Sequence, residues 1–373
     1  MRTLVALVLA LHGIAHWVGF RAAFWPTSIP LRRLVRLPRQ LEGVVWLLLG
    51  VGFLAVAALI LAEHDGYRQL LLGCLVVSLA MCIAAWPDAR IGLVIDAGLL
   101  VLTLVSWPTR AGSTLTGRLA RELESRGVSA PALPGQLVEA RDLATLPPAA
   151  RRYLTFMRVV GRPRDVSLRA SFSGRFRRDP TAWLACEAQQ YDTRAPVTRV
   201  FMMQLALQRV LPVTVRDEYL RGRGSLEAKA FDLLRVAEGR GYELDVGELV
   251  TYLNDAILMA PSLILGPETS WTEVDRDSFD VALTDAGTTV KARVVLDARG
   301  APLSFSTTDR FFDAPDGRKV RTEWRTPIAG WQEAFGRMLP TSATAVWQLP
   351  SGPFAYAEFA FEPGRIAFNV PPG

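Results

Sequence analysis

The chain has 373 residues, half of them hydrophobic, and a positive mean hydropathy of +0.21. That excludes an ordinary soluble enzyme and implies a membrane part joined to a globular part. The formal charge of +6 comes almost wholly from arginine, with lysine only at 229, 291 and 319, and the basic residues are interleaved with acids, so no nucleic-acid partner is expected.

Four apolar runs fill residues 1–107: 4–20, 41–62, 69–86 and 91–107. Each is near the ~20 residues that cross ~30 Å of hydrocarbon, so four transmembrane helices are predicted. Arg2 before an apolar core looks like a signal peptide, but no A-x-A site follows and His12 and His16 interrupt it, so the span is read as retained. The first loop carries Arg21, Arg32, Arg33, Arg36 and Arg39 with no acid before Glu42, whereas the second, 63–68, has one arginine. The positive-inside rule makes the first loop cytoplasmic, which places both termini outside the bacterial inner membrane. Trp17, Trp25, Trp46, Trp86 and Trp107 lie near the run ends, where interfacial aromatics belong.

Polar groups inside the runs are few. His12 and His16 are spaced i,i+4 and share one helix face, a spacing that suits a metal ion or a haem iron. Asp96 is the intramembrane carboxylate, and an ionisable residue there is a functional candidate. The competing reading is that His12, His16 and Asp96 hydrogen-bond to one another and hold the bundle together. Cys74 and Cys82 lie in apolar runs and Cys186 in a predicted strand; no CxxC or Cys/His cluster occurs, so neither zinc nor a disulfide framework is expected.

Residues 108–143 are polar and rich in glycine and proline (Gly112, Gly117, Gly127, Pro131, Pro134, Gly135), which reads as a tether with a short surface helix over 118–126. The folded domain, 144–373, opens at Leu146-Pro147-Pro148, where two prolines ahead of good helix formers predict a short helix to about Val159. Arg151 and Arg152 are read as solvated helix charges. From Asp165 the period becomes two. Strands are predicted over 166–177, 183–191, 198–207, 213–219, 224–237, 271–275, 278–284, 288–297, 303–312, 319–326, 341–348, 355–361 and 365–368, with turns at Asp285-Ala286-Gly287, Ala298-Arg299-Gly300, Pro315-Asp316-Gly317 and Ser351-Gly352-Pro353. One long helical signal interrupts them. Asp245 and Glu248 form a potential capping box, and Leu249, Val250, Leu253, Ala256, Ile257 and Ala260 fall on one face, so a helix is predicted over 246–260, stopped by Pro261.

The predicted fold is a membrane α-helical bundle of four spans plus an α+β extracytoplasmic domain, in which a large curled antiparallel sheet, half-barrel-like, is covered by one helix. In 319–326, Val320, Thr322, Trp324 and Thr326 share a face; in 355–361, Ala355, Ala357, Phe359 and Phe361 share one, with Tyr356 and Glu358 opposite. Phe172, Phe176, Phe201, Met203, Leu253, Ile257, Phe305, Trp324 and Phe359 are the candidate lining of the hollow; a packed core under the helix fits the same pattern.

The usual catalytic constellations are absent: there is no GxSxG, Walker loop, HExxH, or GxGxxG after a strand. The histidines are His12, His16 and His64, so residues 144–373 hold no histidine for a nucleophile scheme. Glu248 and Asp255 share a helix face but lie about 10 Å apart along the axis, beyond a glycosidase pair. Asp217, Glu218, Arg221 and Arg223 read as a surface salt-bridge cluster.

Several segments carry a resemblance. They are Leu11-His12-Gly13-Ile14-Ala15-His16 with Gly19-Phe20, Leu146-Pro147-Pro148 with Arg152-Tyr153-Leu154, and Asp217-Glu218-Tyr219 with Gly222 and Gly224. The helix adds Gly247-Glu248-Leu249, Tyr252-Leu253-Asn254-Asp255, Pro261 and Trp271, and a late strand adds Val346-Trp347-Gln348-Leu349-Pro350 with Gly352, Phe354 and Tyr356. In their order along the chain they resemble a family of bacterial membrane proteins defined only as a domain of unknown function. The resemblance implies no enzyme activity. The turn Ile257-Leu258-Met259-Ala260-Pro261 departs from it, where similar proteins would carry a bulkier aromatic. The expected shape is also similar to that of half-barrel proteins that carry lipids or lipoproteins across a periplasm, a likeness of fold alone. The expected function is a membrane-anchored domain that binds a lipid or acyl chain. The alternatives are an envelope scaffold with a protein partner, and a redox or metal component built on His12 and His16.

Overall fold

The computed structural model describes residues 2–25, 38–62, 64, 66–106, 115–128, 136–207, 211–230, 232, 234–314 and 316–372. Glu63, Arg32, Arg33 and Arg36 of the predicted loops, Trp107, the linker residues Gly112, Pro131, Pro134 and Gly135, and Pro315 lie outside the described residues. The chain divides into two compact units, Met1–Thr109 and a second made of Arg110–Leu207 and Pro212–Gly373.

The first unit contains α1 (Arg2–Phe24), α2 (Arg39–Leu61), α3 (Tyr67–Ala84) and α4 (Arg90–Ser106). Leucine, valine and alanine dominate all four, and their outward faces stay apolar: Leu48, Val76, Ile91 and Val94 are exposed. Among the described residues, two helical stretches are long and apolar enough to cross a membrane, Val5–Phe24 and Arg39–Leu61; the apolar part of α3, Gln69–Ala84, is shorter. The expectation of four full spans is thereby corrected to two. Helices of 18 and 17 residues, as α3 and α4 are, rise only about 26 Å against a core of ~30 Å. Gly13 and Gly50 let α1 and α2 cross closely; a Cβ on Gly13 would lie 2.9 Å from the Gly50 carbonyl oxygen.

The second unit is α+β. Its helices are α5 (Leu115–Ser125), α6 (Pro148–Phe156) and α7 (Tyr242–Met259). Before α7 run β1 (Ser167–Phe176), β2 (Leu184–Thr193), β3 (Thr198–Leu207), β4 (Leu211–Leu220), β5 (Arg223–Ala230) and β6 (Leu234–Arg240). After it run β7 (Thr269–Asp275), β8 (Ser278–Asp285), β9 (Thr288–Leu296), β10 (Pro302–Thr307), β11 (Phe311–Asp313), β12 (Lys319–Arg321), β13 (Trp324–Pro327), β14 (Trp331–Ala334), β15 (Arg337–Pro340), β16 (Ser342–Leu349) and β17 (Gly352–Phe368). Thirteen strands form one antiparallel sheet in the order β6-β5-β4-β3-β2-β1-β17-β16-β13-β10-β9-β8-β7. It is two meanders joined where β1 meets β17. The chain leaves the sheet at edge strand β6, passes through α7, and re-enters at the opposite edge, β7. Helix α7 touches β3, β5 and β6 from one half and β9 and β10 from the other, so the sheet curls around it.

The helix is buried on most sides, as a core helix must be. Leu249, Val250, Leu253, Ala256 and Ile257 are fully enclosed, and the Tyr153 hydroxyl on α6 donates to the Ile257 carbonyl at 2.7 Å. The expected capping box is not formed. The helix starts at Tyr242, after Gly241 (φ 119°), and Asp245 instead accepts from the Gly224 amide at 2.7 Å. Strand β5 comes so close here that a Cβ on Gly224 would sit 2.2 Å from the Leu244 carbonyl oxygen.

Other departures have local causes. The expected strand 224–237 breaks at Asp232, which holds φ 57°. The expected strands 303–312 and 319–326 each split, and β11 and β12 leave the sheet as a separate hairpin, which exposes Val320. The hairpin β14–β15 has no counterpart in the prediction. The expected tether is partly folded: Leu115, Leu119 and Leu123 of α5, one helical stripe, pack on Tyr191, Val200 and Met202 of β2 and β3.

A buried ion pair ties the unit together. Asp165, ahead of β1, receives both Arg337 nitrogens at 2.8 and 2.6 Å and the Ser262 hydroxyl at 2.5 Å, while Arg337 stacks on Phe368 at 4.0 Å. Removing one partner of a buried pair strands the other charge. Asp165→Ala is expected to lower the unfolding free energy by ~3–5 kcal/mol in denaturant titrations. Glu187→Ala, at the exposed pair with Arg365, is expected to cost at most ~1 kcal/mol. Equal effects would rule out the buried tie.

Candidate functional site

Between α7 and the inner face of the sheet lies a cavity of about 480 Å³. Its walls are aromatic. Phe172 and Phe176 come from β1, Phe201 and Met203 from β3, Trp324 from β13, Trp347 from β16, and Phe359 and Phe361 from β17, with Phe311 and Phe312 of β11 beside them. These side chains share the cavity because alternate strand positions point to one face. Phe172 meets Phe359 and Phe361 at ring separations of 5.7 and 5.2 Å, and Phe312 meets Trp347 at 5.5 Å.

Six of the nine predicted lining residues, Phe172, Phe176, Phe201, Met203, Trp324 and Phe359, are at the cavity wall. Leu253, Ile257 and Phe305 are not; each is fully buried in the packed core. The rotation of α7 decides this. Its aliphatic stripe faces the core and α6, and the stripe at 244, 248, 251, 255 and 258 faces the cavity. Tyr356, expected on the outer face with Glu358, also lines the cavity. Ala345 pairs with Ala357 and Val346 with Ala355, so Tyr356 is the extra residue of a bulge that resets the alternation.

The cavity wall carries a charged cluster around Arg199, and Arg177, Arg178, Arg310 and Asp313 line the cavity as well. Arg199 of β3 is buried, and its Nη1 donates to Asp217 at 2.8 Å and to Glu248 at 3.0 Å, while its Nε donates to Asp255 at 2.8 Å. Gln190 donates to Asp255 at 2.8 Å and to Asp192 at 2.7 Å. Four carboxyls thus surround one guanidinium. Burial would lower the Arg199 pKa, but Asp217, Asp255 and Glu248 together outweigh it and raise it. Burial, reinforced by the Asp217 charge, pushes Glu248 well above the usual carboxylate range. Burial and then Asp255 do the same to Asp192, and burial raises Asp255 against the pull of Arg199. Two further polar atoms at the wall, Asn254 Oδ1 and Thr326 Oγ1, are buried and have no hydrogen-bond partner. Arg310 lies over the Trp324 ring at 4.5 Å and the Trp347 ring at 5.6 Å.

Sequence reasoning missed this cluster. Glu248 was assigned to a cap and Asp217 to a surface cluster; the structure turns both inward to Arg199, whereas Glu218 turns the other way, to Ser225 and Arg126. A signal was present. Arg199 is in register with Phe201, Met203 and Leu205, an isolated charge on an apolar face, and Asp217 is likewise in register with Val213, Val215 and Tyr219. The aromatic walls can accept an apolar chain, and the charged cluster can orient a polar group.

The first unit holds a second cluster. His12, His16, Ser78 and Asp96 are buried together. His12 Nε2 lies 2.7 Å from Asp96 Oδ1, Ser78 Oγ lies 2.5 Å from Asp96 Oδ2 and 2.7 Å from His16 Nε2, and His16 Nδ1 donates to the His12 carbonyl at 2.8 Å. The hydrogen-bonded arrangement expected for His12, His16 and Asp96 is formed, with Ser78 as an unforeseen link between α1 and α3. The donor set suits a metal ion. It does not suit haem: both Nε2 atoms face polar groups, and Phe53 and Trp46 pack on the rings at 4.9–5.3 Å, leaving no slot for a macrocycle.

The buried acids of the second unit set a pH dependence. The raised pKa values of Asp192, Glu248 and Asp255 mean that the folded state holds protons which the unfolded chain releases above ~4. Their contribution to stability is complete below that value and is lost as pH rises through the raised values. The thermal midpoint is therefore expected to be higher at about pH 5 than at about pH 8. Asp192→Asn, at a carboxyl with one oxygen unpartnered, is expected to flatten this slope and raise the midpoint at the higher pH; an unchanged slope would exclude Asp192 as a source.

No curated protein matches the chain. A LolA superfamily protein from Nitrosomonas europaea, of known crystal structure, is similar at 14% identity with a TM-score of 0.30, over 60% of this chain and 92% of that chain. The profile of a family of unknown function, DUF6544, matches residues 136–359, which lie in the second unit and exclude the His12-Gly13 segment. That match spans more than half of the sequence, and the chain belongs to the DUF6544 family.

Proposed function

We propose that the second unit binds the apolar part of a lipid or acyl-chain ligand between α7 and the sheet, and that the first unit anchors it to the bacterial inner membrane with both termini outside the cytoplasm. The cavity carries this reading. Its volume of about 480 Å³ lies within the range of ~300–1,000 Å³ typical of small-ligand sites. Aromatic side chains supply much of the wall, and the charged cluster around Arg199 is available to a polar group, as an amphiphile requires. The absence of histidine from residues 144–373 leaves no histidine-based nucleophile scheme beside the cavity. Two apolar helices of spanning length keep the unit near a source of lipid. The outward placement rests on the arginines of the first loop, which put it on the cytoplasmic side, and on an even number of crossings, which the two helices of spanning length supply.

Native mass spectrometry of the full-length protein, released gently from detergent, is the test. A retained mass in the phospholipid or acyl-chain range is expected for the wild type. Ala345→Trp adds bulk at a wall residue of β16, a strand that contributes nothing to the Arg199 cluster, and is expected to remove most of that mass while the protein stays folded. A bare wild-type mass, or equal ligand retention in Ala345→Trp, defeats the proposal and favours an envelope scaffold.

A further inference from the structure

We propose that His12, His16, Asp96 and Ser78 form a closed binding site for one divalent transition-metal ion of the zinc class inside the helical unit. The site is separate from the cavity and independent of its ligand.

Hydrogen-bond accounting leads to it. The His12 carbonyl can only accept, so the proton of neutral His16 is on Nδ1 and the lone pair of Nε2 points at Ser78. Ser78 has one hydroxyl proton for two neighbours, His16 Nε2 at 2.7 Å and Asp96 Oδ2 at 2.5 Å. Whichever way that proton points, the other contact sets two lone pairs face to face. With His16 neutral and Asp96 ionised the cluster therefore lacks one positive centre, which an added proton or a metal ion would supply. A metal ion supplies it by accepting the lone pairs directly.

The geometry fits. One ligand atom each from His12, His16 and Asp96 lies within 4.8 Å of the others, and Ser78 offers a fourth oxygen. Zinc bonds of ~2.0–2.2 Å hold tetrahedral ligand atoms about 3.3 Å apart. The close pair, His12 Nε2 and Asp96 Oδ1 at 2.7 Å, separates slightly, and the more distant atoms close in. Two imidazoles and one carboxylate are a three-ligand zinc set, and the Ser78 hydroxyl stands at the fourth position that such sets otherwise leave to water. The His16 Nδ1–H bond to a backbone carbonyl is the outer-shell contact that orients a metal-binding imidazole. Phe53 and Trp46 wall the cluster from water. The ligands come from α1, α3 and α4, so the ion ties together three helices, of which α3 and α4 are the shorter pair.

Full-length protein, purified in detergent by a tag that needs no immobilised metal and without chelator, is analysed for bound metals. If it emerges empty, it is reloaded with stoichiometric Zn2+ and re-measured after gel filtration. About one zinc per chain is expected, falling to background in His16→Ala and in Asp96→Asn and retained in His64→Ala, whose exposed ring lies outside the cluster. Ser78→Ala keeps the three stronger ligands and is expected to weaken zinc roughly 10–100-fold in chelator competition, the size of a supporting contact. Where a variant fails to fold, Co2+ loading of the wild type replaces it, and a tetrahedral visible band is the expected signature. A reloaded wild type with no zinc above background and no cobalt band overturns the proposal and leaves a hydrogen-bonded polar cluster.

Discussion

The structure depends on one topological constraint: α7 must carry the chain from one edge of the sheet to the other. A flat sheet of thirteen strands would be about 58 Å wide at ~4.8 Å per strand. The helix has 18 residues and is about 27 Å long. The edges come within its reach only if the sheet curls. Curling creates the concave face, and the helix that demands it also fills much of it. The cavity is the part of the hollow that α7 leaves open, on the side where it presents Glu248, Thr251 and Asp255 between Leu244 and Leu258.

A helix buried on most sides must pair the charged groups it brings inside. Asp245 does so against the Gly224 amide, and Glu248 and Asp255 do so against Arg199. The solution is a strained one, since acids outnumber the single guanidinium and are driven toward their neutral forms. A core of the same volume built from aliphatic residues would be more stable. Polar groups retained at the wall of an aromatic hollow, two of them with unfilled hydrogen-bonding capacity, suit recognition of a ligand better than they suit packing.

The helical unit solves a related problem by other means. Its surface is largely apolar, and two imidazoles, a hydroxyl and a carboxylate meet at one buried cluster. Gly13 and Gly50 make that possible: with no side chains between them, α1 and α2 approach closely enough for Phe53 and Trp46 to close over the histidine rings. In each unit, close backbone approach at glycine precedes the placement of buried charge, at Gly13 here and at Gly224 against α7.

The sequence by itself determined the local features. The period of two marked most strands within a few residues, the apolar runs marked the four helices of the first unit, and the glycine turns marked neighbour pairing within each meander. Six of the nine expected wall residues were legible because alternation alone says which side chains share a face. Tertiary structure decided the rest. The pairing of β1 with β17 joins residues nearly two hundred positions apart, which no local pattern encodes. The rotation of α7 was set by α6 and the two sheet halves, so Leu253 and Ile257 went to the core and Glu248 and Asp255 to the cavity. The bulge at Tyr356 reset an alternation that the sequence shows as unbroken. Arg199 was visible as a charge on an apolar face, but its partners come from β4 and α7, and only the fold brings them within 3 Å. Periodicity is a property of neighbouring residues; pairing, rotation and charge compensation are properties of distant ones, fixed only when the elements pack.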